Sequence, residues 1–340
     1  MRPFNALFFA LLDKRLINST GVELTQDELL RLWEFYNLFT GSVYSRLIMR
    51  GESNENLDRQ FYADTRNPVM LAERLFLIGE KARVCWTKNC FVDSDDTSEE
   101  NFMRICESLF QYLHDGVHGN GKRADKIRAF CERNVGFINS LENIPSIVKK
   151  YVKLNHSDRR AANLHYLSLS HTINSLKYRR ASGFISTTTN AQVADHFTED
   201  VMIYGWVPRV TDTVRYVGRT IDNVVVGNSK SLKQMGLPYP DTPVYPDQKE
   251  ISIRCGLLPH FIIGFSAGRD FYVNPAIFPA IDRMHELTSF RALSCYKRHL
   301  QQWGLEVNQE GFEDFIRKTG FSRYFTFDGD EYIIHNVDAH

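Results

Sequence analysis

The residues of this chain best suited to chemistry are an amide and a carboxylate two positions apart, Gln248 and Glu250. A turn-forming Pro-Asp pair precedes them and the β-branched Ile251 and Ile253 follow, which predicts a turn that leads into a strand. Because side chains alternate between the faces of a strand, we expect Gln248, Glu250 and Ser252 to point the same way. A solvent-exposed edge strand has the same pattern, so a site is indicated only if a partner exists.

The partner is an upstream run of hydroxyl side chains, Ser186, Thr187 and Thr188, that follows an apolar pair. We predict a strand over residues 184–187 and behind it a short helix that ends at Phe197. Two polar strands in one region could together form a site.

Composition and charge limit the classes of function. The chain has 340 residues, with 43% hydrophobic and 13% aromatic side chains, which is typical of a folded protein. Its 41 basic residues balance its 41 acidic residues, which argues against a protein that coats nucleic acid by bulk charge. Local contact with a few nucleotides stays possible.

The cysteines favour reduced thiols over a disulfide framework, because they are scattered through a large chain and lie mostly in apolar runs. Cys85 and Cys90, followed by His114 and His118, approach the spacing of a zinc site, but the first pair is one residue wider than usual. Such pairs arise easily by chance, and we expect no metal.

The amino-terminal apolar stretch from Phe4 to Leu12 is short and lacks a small-residue cleavage site, so we expect no signal peptide. No apolar run approaches the ~20 residues of a membrane span. We expect a soluble, cytoplasmic protein that does not contact a membrane.

The first third of the sequence is predicted to be helical, with a capping box at Thr25-Gln26-Asp27-Glu28 and a second helix start at Ser98. The glycine-rich segment from Asp115 to Gly121 is the best linker candidate. A second helical stretch follows from Arg123 to Val152. From Asn163 onward the pattern changes to short strands and long loops.

In that second part we predict strands over residues 164–170, 184–187, 201–207 and 260–265, beside the strand of Glu250. The tail from Pro275 is predicted to be helical and to close with a hairpin around Asp328-Gly329. Helices followed by strands with little helix between them favour an α+β fold with a mixed, mainly antiparallel sheet.

Taken together, Ser186-Thr187-Thr188 and Gln248-Lys249-Glu250, with Ala194 and Phe197 behind the first, resemble the toxin-type mono-ADP-ribosyltransferases. The resemblance covers roughly residues 163–265. It implies a helical N-terminal region over residues 1–121, an ADP-ribosyltransferase core over residues 122–275 and a C-terminal extension over residues 276–340.

The resemblance also implies NAD as co-substrate and gives each residue a role. Glu250 would stabilise the oxocarbenium-like transition state through the ribose 2′-hydroxyl. Ser186 would orient Glu250 or the ribose, while Thr187 and Thr188 continue the strand. Phe197 either packs beneath the nicotinamide pocket or is a core aromatic.

Gln248 bears on the acceptor. An amide both donates and accepts hydrogen bonds, which suits a nucleobase edge or a side-chain amide better than an arginine. The acceptor is therefore expected to be a nucleobase or an amide, and the resemblance favours RNA. If RNA is the acceptor, Lys230, Lys233, Lys249 and Arg254 are candidates for contact with its phosphates.

The first motif of the family, an Arg or His on a first strand, has no clear match. On the strand predicted over residues 164–170, His165 lies nearest to that place, and Ser168 and His171 are further candidates for NAD binding.

Three hypotheses remain open. The chain is similar to the mRNA-modifying ADP-ribosyltransferase toxins of phage-defence toxin–antitoxin–chaperone systems, which would give it an antitoxin partner and let it block translation. The second hypothesis is the same enzyme acting on a protein amide, and the third is a catalytically silent binding module of the same fold.

Overall fold

The computed structural model of the protein describes residues 3–41, 45–61, 64–80, 96–174, 184–208, 224–226, 229–254, 257, 262–275, 277, 323–327 and 332–336. Statements about the fold and its contacts refer to these residues.

The main feature is a mixed sheet of eight described strands, in the spatial order β1-β8-β7-β4-β2-β3-β6-β5. All neighbours pair antiparallel except β1 and β8, which are parallel. A separate antiparallel hairpin, β9 and β10, lies near the end of the chain. The strands are β1 Arg15–Ile17, β2 Ser45–Glu52, β3 Phe184–Thr188, β4 Val201–Pro208, β5 Val224–Val226, β6 Glu250–Arg254, β7 Ile262–Ala267, β8 Asp270–Val273, β9 Arg323–Phe327 and β10 Tyr332–Asn336.

The described helices fall into a group that packs with the sheet and a group that forms a block of its own. They are α1 Pro3–Asp13, α2 Gln26–Gly41, α3 Asn54–Phe61, α4 Pro68–Ile78, α5 Glu99–His118, α6 Lys122–Arg133, α7 Val135–Leu141, α8 Ile144–Tyr151, α9 His156–Ile173, α10 Ala191–Phe197 and α11 Ser229–Gln234. We call α5 to α9, residues 99–173, the helical block.

Local sequence signals explain where several helices begin. The predicted capping box is present: Thr25 N–H donates to Glu28 Oε2 at 2.8 Å, and Glu28 N–H donates to Thr25 Oγ1 at 3.3 Å. Ser98 caps α5 by accepting from Asn101 N–H, and Asn155 caps α9 by accepting from Asp158 N–H.

Two large hydrophobic clusters and a small one, Leu164 of α9 with Phe184 of β3, form the core of the described residues. One large cluster joins the sheet to α1–α4 and buries Leu47 and Met49 of β2 with Ile263 and Phe265 of β7. The second large cluster lies within the helical block, where the rings of Phe102 and Tyr151 stack at 3.8 Å between centroids. Leu232, Leu237 and Val244 also belong to this second cluster, so the chain between β5 and β6 returns to the block.

The predicted α+β class with a mixed, mainly antiparallel sheet is confirmed, and so are the strands at residues 184–187 and 201–207 and the closing hairpin. The helix predicted from Pro275 lies almost wholly outside the described residues. The division into three domains stays a prediction, although residues 1–121 are not purely helical, since they supply β1 and β2 to the main sheet.

The strand predicted over residues 164–170 is wrong, because this segment lies inside α9. Leu164, Tyr166, Ser168, Ser170 and His171 of this helix are all buried, so its buried residues do not form a single stripe with a 3.6-residue period. The linker predicted over residues 115–121 is also mostly helical, since α5 runs to His118 and the chain turns only at residues 119–121.

None of the helices in the described part of the chain is both long and apolar enough to cross a lipid bilayer.

Candidate functional site

Ser186 and Glu250 meet at the centre of the candidate site. Strands β3 and β6 pair antiparallel with Ser186 opposite Ser252 and Thr188 opposite Glu250, so these four side chains share one face of the sheet. Ser186 Oγ donates to Glu250 Oε1 at 2.6 Å, and Ser252 Oγ lies 3.3 Å from the same oxygen. Both hydroxyls thus contact one oxygen of the carboxylate.

The turn before Glu250 differs from the predicted strand. Residues 246–248 form a 3₁₀ turn, and Lys249 has φ 45° and ψ 45°. This left-handed backbone conformation costs free energy for any residue that carries a Cβ atom. The prediction that Gln248 shares a strand face with Glu250 is therefore wrong, because β6 begins at Glu250. Gln248 is the half-buried end of that turn, two residues before Glu250 in the chain but not among the described residues that line the cavity.

Thr187 and Thr188 hold this turn in place. Thr188 Oγ1 donates to the carbonyl oxygen of Gln248, and Thr187 Oγ1 donates to the carbonyl of Ile251 at 2.8 Å. Asn190 Nδ2 adds a bond to Asp247 O at 3.3 Å. The two threonines, predicted as cofactor contacts, are buried and bind backbone on either side of Glu250, which fixes the direction of the carboxylate.

Arg50 on β2 was missed by the sequence reasoning. Its guanidinium Nη1 donates to Ser186 O at 2.6 Å, its Nε lies 2.9 Å from Glu80 Oε2, and Nη2 pairs with Glu52. Burial alone would lower the pKa of Arg50. The carboxylates of Glu52 and Glu80 outweigh burial, so the pKa of Arg50 lies above its ordinary value. The charge is permanent, and it anchors β3 beside Glu250.

Strand β2, which carries Arg50, precedes β3 in the chain and lies next to it in the sheet. Residues 53–183, which include the helical block, separate the two strands in sequence. The sequence does carry one local signal for this strand, the apolar run Leu47-Ile48-Met49 followed by Arg50-Gly51 within an otherwise helical region.

His171, near the carboxyl end of α9, approaches the same centre from the helical block. Its Nε2 lies 3.0 Å from Ser186 Oγ, and its ring is 5.9 Å from that of Phe184 between centroids. The side chain is only 2% exposed. A helix, and not a first strand, thus brings His171 to the site.

A cavity of about 250 Å³ opens beside Glu250, between the sheet and the helical block. Residues of α9, including His165, Ser168 and Thr172, line one side, and Glu250 and Ser252 line the other. The segment 240–246 and Lys249 complete the wall. Pockets that enclose drug-sized ligands are roughly 300–1,000 Å³, so this cavity is somewhat smaller than a typical ligand pocket.

His165 and Ser168 therefore do face the cavity of Glu250, although from a helix. Burial lowers the pKa of His165 to about 4, so its imidazole is neutral at physiological pH. A neutral imidazole offers one donor and one acceptor, which suits an uncharged polar ligand.

Phe197 lies elsewhere. It ends α10, is 52% exposed, and is absent from the described lining of the cavity. Of the two alternatives, the core aromatic is wrong, and a contact with nicotinamide stays a prediction. The backbone of Phe197 lies close to β2, since a Cβ built on Gly51 would lie 2.6 Å from the Phe197 carbonyl carbon.

No group of three or more potential metal ligands occurs among the described residues. Cys85 and Cys90 lie outside that part of the chain, while His114 and His118 stand one turn apart on α5 with ring centroids 4.3 Å apart. Cys106 and Cys131 are free thiols, and burial raises the pKa of Cys106 to about 12, which excludes a reactive thiolate there at neutral pH.

The fold and the site define an α+β protein with a Ser–Glu centre at the edge of a cavity between sheet and helices. Such a centre can stabilise a developing positive charge on a bound ligand through the carboxylate. The chain matches no protein-family model, and comparisons with curated proteins and with solved structures give no match.

Proposed function

We propose that this chain is an NAD-dependent mono-ADP-ribosyltransferase whose catalytic carboxylate is Glu250. The observation that carries the proposal is the bond from Ser186 Oγ to Glu250 Oε1 at 2.6 Å, on neighbouring strands and beside a cavity. Arg50 on the adjacent strand supports it, because it supplies the first-strand arginine of the family pattern.

The reaction would break the bond between nicotinamide and the anomeric carbon of the ribose, and nicotinamide would leave with the bonding electrons. Positive charge then develops on the ribose, much as in glycoside cleavage. Glu250 would hold the 2′-hydroxyl through Oε2, since both hydrogen bonds of Glu250 within the described residues fall on Oε1. A nucleophilic nitrogen or oxygen of the acceptor would bond to the same carbon and lose its proton.

RNA is the acceptor that we favour, with transfer to a nucleobase, and a protein amide is the alternative. Gln248 lies within the turn that holds Glu250, where its amide could address either kind of neutral group. Lys249 is exposed at the cavity wall, and Lys233 lies with Nζ 5.8 Å from the centroid of the Tyr239 ring. Both could contact phosphate, so transfer to RNA should weaken as salt rises.

The experiment that tests the activity compares Glu250→Gln with a matched change on an exposed helix face, Glu107→Gln. We expect Glu250→Gln to lower NAD turnover by roughly 10²–10³, as removal of a preorganised electrostatic group does. Glu107→Gln should leave turnover unchanged. Measurable but equal turnover by Glu250→Gln and the wild-type protein would show that Glu250 is not the catalytic carboxylate, and no turnover by the wild-type protein would leave only the catalytically silent module.

The acceptor is identified by incubating the protein with labelled NAD in a cell lysate and dividing the product between nuclease and protease. Label lost to ribonuclease supports an RNA acceptor. Label lost only to protease supports the protein amide. Toxicity relieved by co-expression of a neighbouring gene product would support the antitoxin partner.

A further inference from the structure

We propose that His171 is a positioning residue of the candidate site: it donates Nε2–H to Ser186 and so directs the Ser186 hydroxyl onto Glu250. This inference rests on the proposed function. It assigns to the helical block a direct part in the chemistry of the sheet, through a three-residue chain from α9 across β3 to β6.

The distances define that chain. His171 Nε2 lies 3.0 Å from Ser186 Oγ, and Ser186 Oγ lies 2.6 Å from Glu250 Oε1. Both fall within normal hydrogen-bond range, and the second is as short as bonds from a hydroxyl to a carboxylate commonly are. The serine hydroxyl therefore has one neighbour on each side.

Counting protons fixes the direction of both bonds. An ionised Glu250 can only accept, so the single hydroxyl proton of Ser186 must point to Oε1. The lone pairs of Ser186 Oγ then face His171, which requires the proton of His171 to be on Nε2. A hydroxyl with both roles filled cannot rotate away from the carboxylate.

His171 acts through Ser186 and does not contact a ligand. Its side chain is 2% exposed, and it is absent from the residues described around the cavity, whereas His165, Ser168 and Thr172 of the same helix line it. The ring packs against Phe184 at the start of β3. It is thus placed to hold the serine and not the substrate.

The two oxygens of the Glu250 carboxylate therefore have different roles: the protein holds Oε1, and Oε2 is the oxygen proposed to bind the ribose. Oε1 receives the Ser186 hydroxyl and lies 3.3 Å from Ser252 Oγ, so its direction is set by the protein. Loss of the His171 proton would free Ser186 to turn, and the carboxylate would lose its closest partner in part of the molecules.

The test uses two amides that differ only in length. In His171→Gln the amide nitrogen can take the place of Nε2, while in His171→Asn it stops one bond short. We expect His171→Gln to keep most of the NAD turnover and His171→Asn to lower kcat about tenfold, as the loss of one positioned hydrogen bond does. The KM for NAD should be nearly unchanged in both.

A double-mutant cycle with Ser186→Ala separates positioning from packing. If His171 acts through Ser186, His171→Asn should cost almost nothing in the Ser186→Ala background. Equal, additive losses in both backgrounds would overturn the inference, and so would equal activity of His171→Asn and the wild-type protein. Circular dichroism and thermal unfolding of each variant exclude a folding defect.

A second measurement does not depend on turnover. Imidazole ¹⁵N chemical shifts of the wild-type protein should show a proton on Nε2 of His171 at neutral pH. A lone pair on Nε2 would overturn the inference. Absence of NAD turnover in the wild-type protein would overturn both the proposed function and the positioning role of His171. NAD turnover that is the same in His171→Asn and in the wild-type protein would overturn the positioning role alone.

Discussion

At the scale of single residues, Gln248 and Glu250 lie in different elements, although the sequence pattern predicts that they share one face of a strand. Gln248 ends a 3₁₀ turn and Glu250 begins β6, with left-handed Lys249 between them. The amide and the carboxylate are therefore positioned independently. Under the proposed function, a change at Gln248 should therefore alter the choice of acceptor without disturbing the carboxylate.

We accordingly expect Gln248→Ala to lower transfer to the acceptor by at least about tenfold, the equivalent of one hydrogen bond of ~1.4 kcal/mol. Hydrolysis of NAD in the absence of acceptor should stay close to the wild-type rate, because Thr188 bonds the backbone of Gln248 and not its side chain. Both rates can be read in one assay with labelled NAD. A parallel loss of both rates would contradict the separation.

Arg50 has a different role, in stability. Its guanidinium forms ion pairs with the buried carboxylates of Glu52 and Glu80, which are 6% and 0% exposed. Removing one partner of a buried ion pair commonly costs about 3–5 kcal/mol, because the remaining charge is left without compensation.

Arg50→Met should therefore lower the free energy of unfolding by several kcal/mol, and the double variant Arg50→Met/Glu80→Gln should recover part of that loss. Urea denaturation of the two single variants and the double variant measures the coupling. Strictly additive changes would show that the pair contributes no coupling energy.

At the scale of elements, Gly51 allows α10 to approach β2. A Cβ at this position would lie 2.5 Å from the backbone nitrogen of Thr198 and 2.6 Å from the carbonyl carbon of Phe197. These are backbone atoms, so the conflict cannot be relieved by a rotamer change. The residue beside Arg50 thus has to be glycine for the helix after β3 to close over the sheet.

Gly51→Ala is expected to destabilise the protein by about 1–3 kcal/mol, as overpacking does. Gly136→Ala is the matched control: Gly136 lies in α7, and a Cβ there meets nothing within 4 Å. This control should stabilise by about 0.4–1 kcal/mol, since alanine restricts the unfolded chain. Thermal unfolding compares the two, and a neutral Gly51→Ala would refute the close approach.

Much of the element content could be predicted from sequence, for identifiable reasons. The strand of Ser186 and the helix start at Ser98 carry local signals, an apolar pair followed by hydroxyl residues and an N-cap, and both are confirmed. Helix α9 was mistaken for a strand because neighbours bury it on several sides, although Asn155 and Asp158 mark its beginning.

The candidate site was only partly predictable for a related reason. Ser186 and Glu250 lie on neighbouring strands whose motifs can be read, but Arg50 and His171 reach them through tertiary structure. Arg50 comes from a strand on the far side of the helical block in sequence. No local pattern in one sequence indicates that these segments meet.

At the scale of the whole molecule, the cavity between the helical block and the sheet links stability to pH. His165 lies on this boundary, and its pKa is lowered to about 4 by burial, against about 6.5 in an unfolded chain. A lowered histidine pKa means that the unfolded state binds the proton more readily. The contribution is therefore complete above pH 6.5 and is lost as the pH falls toward 4.

This predicts a loss of stability of up to about 1.4 kcal/mol per pH unit from His165 across that window. The measurement is the free energy of unfolding between pH 4 and pH 7 for His165→Gln and for a control at the exposed His156. His165→Gln should flatten the slope, and His156→Gln should not. Identical slopes in all three proteins would contradict the assignment.

The sheet order has a last consequence, for the sequence of events during synthesis. Strands β2, β3 and β6 are neighbours in space, but residues 53–183 separate the first two, and β6 follows at residue 250. The helical block has mostly local contacts and can fold first, while the strands must wait for distant partners. A nascent chain thus carries Arg50, then His171 and Ser186, before the carboxylate that completes them, so no partial chain that ends before residue 250 holds an assembled centre.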